Sequence, residues 1–373
     1  MFFPIVDFAM NANSWSLAPL AAIFFCSFLH SRASADILVV PKDHPTIQEA
    51  INAAGPGDVV VVRPGIYSGK FQITGKTQIT VRAAGKVIVA ASGPAPGISI
   101  VGSSQIILRG FWVKEGPNHG IAIEDSTAIT VDRCRTSHVG GDGVRITDST
   151  GVLVDRFEMK RPNGCGIRLV SDGTVTSGCL VKRGRILHPG SDGVLIEGDS
   201  NLVERCWISE AQEDGLEVAA GSSSNTLSKC TVKDALRSGI RLDGAQTTVS
   251  TMFLLEPGDT GIEIFSDNHS ISKVILKKPG DDGVRLNPGS EGNTLDRCSV
   301  VRPAGDGFDV EGNSNTMLQC RSIGAGDRGF EVTSTGNILS SCLAILSEGF
   351  DLFDSTPAGS NTYSSNLFKK VGP

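Results

Sequence analysis

The chain reads as an all-β solenoid, a single-stranded right-handed parallel β-helix of about twelve coils with a short N-terminal capping helix. Three observations predict it. A glycine returns about every 23 residues in one local pattern: turn residue, Gly, branched apolar, any residue, branched apolar. Gly141-Asp142-Gly143-Val144-Arg145-Ile146 and Asp281-Asp282-Gly283-Val284-Arg285-Leu286 are two copies. The glycines run from 97 to 349 with gaps of 20 to 27 residues. Second, the residues after each glycine alternate apolar and polar, the period of a strand with one face inward. Third, no stretch after residue 60 carries a 3.6-residue period, which excludes helix-based arrays.

Each element then follows in chain order. Residues 1–35 contain an apolar run, Leu17 to Leu29, followed by Ala33-Ser34-Ala35. That pattern predicts a secretory signal peptide, although Asp7 precedes the run and no Lys or Arg does. The run is short for a membrane span. Residues 36–373 form one domain, its cap at about 36–57. A helix is predicted over 45–57, with Thr46 as its cap, Glu49 returning a bond to the Thr46 amide, and Gly55-Pro56 ending it. A solenoid exposes its apolar bore at each end, so this helix is the expected lid. Val59-Val60-Val61-Val62 begins the coils, and residues 352–373 must cover the other end.

Within a coil, a second strand opens about ten residues after the glycine, as in Asn293-Thr294-Leu295 and Asn315-Thr316-Met317. A third short run leads to the next glycine. Two or three strands cannot close a sheet alone, so each must pair with its copy one turn away. At ~4.8 Å per layer the rod is on the order of 60 Å long. Loss of Asp7 and Arg32 with the leader leaves the net charge at −6, and no basic stripe for nucleic acid is evident. The expected product is a secreted monomer with no membrane contact after cleavage.

The segment Pro45-Thr46-Ile47-Gln48-Glu49-Ala50-Ile51, with Gly57-Asp58-Val59-Val60-Val61-Val62 and Pro64-Gly65-Ile66-Tyr67, resembles the opening of right-handed parallel β-helix proteins of the pectin-lyase-like superfamily. The resemblance implies the fold over about 36–367. It leaves activity open among lyases, hydrolases, epimerases and binding proteins. Gly280-Asp281-Asp282-Gly283 is similar to the paired-aspartate motif of polygalacturonases, and Asn118-His119-Gly120-Ile121 to their histidine motif. Here the histidine segment precedes the aspartates, the reverse of that family's order.

Equivalent positions should stack, so chemistry is read by file. The residue before glycine is Asp at 142, 192, 214, 282 and 306. Asp suits a turn and can bond local backbone. The alternative is a carboxylate row for acid–base work, or a calcium site at Asp259, Asp281, Asp282 and Asp306. Five residues before glycine stands a charged file that includes His138, Arg161 and His188. A solvated ladder of charges explains it structurally. The functional reading makes His138, Asp142, Arg161, His188, Asp192 and Asp214 a catalytic surface. Arg161 would bind a uronate carboxylate and a histidine would move the proton. Hydrolysis would instead use two of the aspartates.

Two after glycine, the sign alternates from Glu217 to Asp309, which favours ion pairing on a sheet face. Asn201, Asn225, Asn293, Asn315, Asn337 and Asn361 predict a structural amide ladder, with Asn itself in a left-handed turn. Seven cysteines, including Cys179, are assigned to an inward apolar file in which Phe157 and Phe253 substitute. Their spacing excludes a zinc site; in an oxidising compartment Cys320 and Cys342 could pair. These readings converge on a secreted carbohydrate-active protein acting on a linear polysaccharide by lyase, epimerase or hydrolase chemistry. A non-catalytic extracellular binding protein is the competing class.

Overall fold

The computed structural model describes residues 35–372, so the predicted signal segment falls outside the described residues except for Ala35. The repeat folds as the alternation dictates. The strands that follow the repeat glycines, with one more at each end, form a 13-stranded parallel sheet in unbroken layer order from Phe71–Thr74 to Leu352–Asp354. The remaining strands form two further parallel ladders. These merge into one 26-stranded sheet because Thr80–Ala90 and Ile107–Lys114 run through both. Thirteen layers exceed the expected twelve because Phe71–Thr74 follows Lys70 rather than a glycine, so the pattern misses it.

The apolar file is continuous along the bore. Val144, Ile146, Val154, Met159, Ile167 and Leu169 are all fully buried. The glycine file has a steric cause. A Cβ on Gly239 would lie 2.7 Å from the Gly261 carbonyl oxygen and 3.1 Å from Leu254 Cδ1. A Cβ on Gly120 would likewise lie 2.7 Å from the Gly143 carbonyl. The corner passes too close to the next coil for any side chain.

Most coils also turn at three single left-handed residues (φ about +50 to +60°), one before the Asn position, one before the Cys position and one five residues before the glycine. Ser200, Ser224 and Ser314 hold the first, so the left-handed residue precedes the ladder Asn rather than being it. The amide ladder itself is present. Asn315 Oδ1 accepts from the Asn293 N–H at 2.8 Å, and Asn337 Oδ1 accepts from the Asn315 N–H at 2.8 Å. Cys179 belongs to this file, accepting its place in the ladder by donating its N–H to Asn201 Oδ1 at 2.9 Å. In the cysteine file proper, Met252 rather than Phe253 stands between Cys230 and Cys298: Met252 is buried, and Phe253 turns outward under Lys277. All eight described cysteines are buried free thiols.

The ends are covered as expected. The helix is Ile47–Ala53, shorter than predicted, and it buries Ile47, Ala50 and Ile51. Thr46 Oγ1 accepts the Glu49 N–H at 3.1 Å, while the Glu49 carboxylate accepts from the Thr46 hydroxyl instead of from the Thr46 amide. Gln48 bonds both the N–H and the carbonyl of Gln72, seating the helix on the first post-glycine strand. At the far end Phe368 packs on Phe330, whose ring stacks on Phe308 at 4.6 Å. The last glycine equivalent is Asp351, not Gly349, because Leu352 pairs with Phe330. Phe353 therefore stands over Glu331 in the outward file.

Candidate functional site

His138, Arg161 and His188 do form one file. Each is a left-handed corner (φ +53°, +51° and +50°), and each N–H bonds one coil on, to Lys160, Leu187 and Ser209. His138 and Arg161 are exposed and line a shallow groove of about 560 Å³ with Glu115 and Asn163. His188 is paired with Glu210, Nδ1 to Oε2 at 2.8 Å. Asp142, Asp192 and Asp214 do not line that groove. They stand around the turn, where the post-glycine ladder begins.

There the aspartates bind backbone, but not their own. Asp142 Oδ1 accepts from the Cys165 N–H at 2.9 Å, Asp192 Oδ1 from the Asp214 N–H at 3.0 Å, and Asp214 Oδ1 from the Ser238 N–H at 2.8 Å. Asp282 and Asp306 repeat the bond at 2.7 Å. One oxygen of each carboxylate thus staples its coil to the next, and the second oxygen remains for other work. His119 occupies the same file and accepts the Asp142 N–H through Nδ1 at 2.9 Å. Burial holds its pKa below the ordinary value, against the opposing pull of Asp142. His119 precedes the repeat glycine Gly120, so its place in this file follows from the glycine spacing.

Two carboxylate triads converge on this face, Asp192–Asp214–Glu217 and Asp306–Asp309–Glu331. In each, one oxygen per residue lies within 4.8 Å of the others, close enough to share a cation or a proton. Glu217, Asp309 and Glu331 belong to the file two after glycine, which sequence reading assigned to ion pairing. For most of that file the pairing is real. Arg241 meets Glu263 at 3.2 Å, Arg285 meets Asp309 at 3.3 Å, and Arg328 meets Glu331 at 2.6 Å. Arg168 likewise grips Glu197 with two bonds. Glu217 has no ion-pair partner among the described residues, nor do Asp192 and Asp214.

Electrostatics separates the first triad from its neighbours. Burial raises Asp192, and raises Asp214 to about 6 against the Ser238 N–H that favours its charge. Burial, reinforced by Asp192 and Asp214, lifts Glu217 to about 7. In the second triad burial lifts Asp309 to about 7, and burial with a hydrogen bond to Glu331 lifts Asp306 to about 8. Arg285 and Arg328 flank that second group.

The four residues expected as a calcium set do not gather as one. Arg285 holds both Asp281, at 3.0 Å, and Asp282, at 2.5 Å, and the guanidinium stands where a cation would. Asp259 is exposed and shares no convergent cluster with them. The longest glycine spacing, 27 residues, runs from Gly166 to Gly193. Its extra residues follow the strand Ile167–Val170, wrapping Asp172, Gly173 and Thr174 so that their N–H groups all point at Asp148 Oδ1. They are remote in the coil from His188.

The sequence signature of the right-handed β-helix region matches residues 96–254 and 238–372, well over half the chain. The chain belongs to the right-handed β-helix family. No curated protein matches its sequence. Among solved structures, this β-helix is similar to the receptor-binding domain of the siphovirus 9NA tailspike, at 12% identity and TM-score 0.64, over 90% of this chain and 76% of that one. It is similar to a surface adhesin of Streptococcus pneumoniae (11%, TM-score 0.58, 87% and 93%). It is also similar to the catalytic unit of a GH87 alpha-1,3-glucanase from Streptomyces thermodiastaticus (15%, TM-score 0.54, 87% and 66%). At these identities the likeness is one of fold.

Proposed function

We propose that this β-helix is a secreted, carbohydrate-active protein that hydrolyses a linear polysaccharide laid along its post-glycine ladder. The observation that carries the reading is the Asp192–Asp214–Glu217 triad, three half-buried to buried carboxylates with no counter-cation in ion-pair contact. Asp214 and Glu217 titrate at about 6 and about 7, values that belong to the coupled group. Between them, one carboxylate is ionised while its neighbour keeps its proton, the division that acid–base hydrolysis requires. Glu217, nearer the surface, donates the proton to the glycosidic oxygen. Asp214, oriented by the Ser238 N–H, attacks the anomeric carbon through its other oxygen as the bond to the leaving oxygen breaks, and Glu217 then takes a proton from the water that frees the glycosyl group, since carboxylates within 4.8 Å leave no room for a water between them. Asp192 holds the like charge that keeps Glu217 protonated. His138 and Arg161 hold flanking sugars in their groove instead of moving the reacting proton.

The glucanase likeness supports a glycan as ligand, and the regular rod suits a linear chain. The competing reading, a binding protein without catalysis, is supported by the adhesin likeness and by how little the coils depart from one length. Incubation with alpha- and beta-glucans, pectate and alginate separates them. Hydrolysis releases reducing ends with an optimum between pH 6 and 7 and forms no unsaturated uronides. Unsaturated uronides would instead mean lyase chemistry, and intact polymer at every pH would favour binding alone.

A further inference from the structure

The net charge of −6 conceals a segregation of charge that only the folded layers reveal. The left-handed corner between the second and third ladders is Arg133, Arg156, Arg183, Arg205 and Lys229 in five successive coils (φ +53°, +53°, +55°, +54° and +53°). All five are exposed. This corrects the expectation that the chain has no basic stripe: the residues lie 22 to 27 positions apart and become a stripe only on winding. Three carboxylates serve the row. Asp132 takes Arg109 and Arg156, Asp155 takes Arg156 and Arg183, and Glu204 takes Lys229 and Arg205. Asp132 and Asp155 are almost fully buried and hold the guanidinium groups in place; with Glu204 they offset three of the five positive charges, and the row stays net positive. Arg133 has no ion-pair partner among the described residues.

Two residues on from each corner, beyond one buried residue, runs a second outward file. It reads Trp112, Arg135, Glu158, Arg185, Trp207 in consecutive layers. Trp207 is 40% exposed. Trp112 lies in a cleft of about 460 Å³ that Lys86, Arg133 and Arg135 also line. That cleft is built by the backbone. The strand Thr80–Ala90 shifts register between Arg82 and Val87, with Gly85 at φ +129° and Gly110 at φ +83° beside it. The Trp112 indole N–H is fixed on Ser137 Oγ at 3.0 Å, and Lys114 Nζ stands 4.9 Å from the ring centre.

We propose that this edge, from the Trp112 cleft to Trp207, binds an anionic polysaccharide whose carboxylate or sulfate groups repeat along the chain. Cations rise one per layer, at ~4.8 Å, with an aromatic platform at each end for the apolar face of a sugar ring. Guanidinium groups pair with carboxylate and sulfate oxygens in a planar fork. The alternating layers suit a polymer with a charge on each unit and a hydrophobic ring face, more than a stack of bases, which would call for aromatic residues throughout. The site lies on a different corner from the carboxylate triads and does not depend on their chemistry.

The test measures binding of the full chain to polygalacturonate, dextran sulfate, neutral dextran, single-stranded DNA and phosphatidylserine vesicles by calorimetry at two salt concentrations. The expected result is binding to polygalacturonate or dextran sulfate that weakens with salt, with none to neutral dextran. The triple variant Arg133→Gln, Arg135→Gln, Arg185→Gln should lose at least tenfold in affinity. These three arginines have no buried carboxylate partner, so folding should persist; circular dichroism checks it. Trp207→Ala, which changes no charge, should weaken binding without altering the salt dependence. Asp214→Asn should bind as the parent does, which separates this edge from the hydrolytic site. Unchanged affinity in the arginine and Trp207 variants would overturn the proposal. So would tighter binding of DNA or vesicles than of either anionic glycan, or no binding to any polyanion.

Discussion

The raised carboxyls make a residue-scale prediction about stability. Glu217 has an ordinary pKa of 4.5 and is lifted to about 7, while Asp309 reaches about 7 and Asp306 about 8. Between the two values the folded chain holds a proton that the unfolded chain has released. Stability is therefore greatest at low pH within this window and falls as pH rises from about 4.5 to about 8. Arg241, Arg285 and Arg328 oppose the shifts without cancelling them. His269, buried neutral and lowered to about 4, acts in the other direction, since it favours the fold as pH rises toward 6.5. His119, lowered by burial as well, acts with it, so two histidines stand against several carboxyls. Urea unfolding at pH 5 and pH 8 should show lower stability at pH 8, with a smaller difference in Asp309→Asn. A protein equally stable at both values would show that these carboxyls keep ordinary pKa values. Sequence reading singled out Asp192 and Asp214 as candidates because aspartate recurs before glycine. It missed Glu217 because an alternating file of Glu and Arg looks like a ladder of ion pairs. What distinguishes Glu217 is the absence of its own partner, a property of neighbours in space.

At the scale of an element, the glycine corner limits the fold more than any strand does. Gly239→Ala would drive a methyl against the Gly261 carbonyl, a backbone atom that cannot rotate away. The expected cost is roughly 1–3 kcal/mol, measured by urea denaturation, as for other overpacked interiors. A neutral substitution would mean that the coils slide apart more easily than their apolar file implies. The strand period and the glycine spacing made the coil readable, and the capping helix was readable from Thr46 and its apolar face. Register was less readable. Cys179 was assigned to the cysteine file, yet it occupies the Asn file because the extra residues around Asp148 displace the count in that coil. The glycine spacing points to Gly349 as the last corner, yet Asp351 holds it. A repeat length is averaged along a chain, whereas register is decided coil by coil through backbone hydrogen bonds.

Over the whole molecule, winding turns dispersed residues into surfaces of opposite character. Carboxylates gather where the post-glycine ladder begins, and cations gather on the corner between the other two ladders. Net charge reports neither, because it sums what the coil separates. The same winding gives a regular rod with sites repeated layer by layer, a geometry matched to polymers built from repeating sugars. The central claim is that the Asp192–Asp214–Glu217 triad hydrolyses such a polymer. The most direct measurement is the rate of reducing-end release by Glu217→Gln, at pH 6.5, from whichever glycan the parent protein cleaves. The account predicts a fall of about 10²–10⁴-fold with the same circular dichroism and undiminished glycan binding. Cleavage at the parent's rate, or a parent that cleaves none of the glycans, would contradict it.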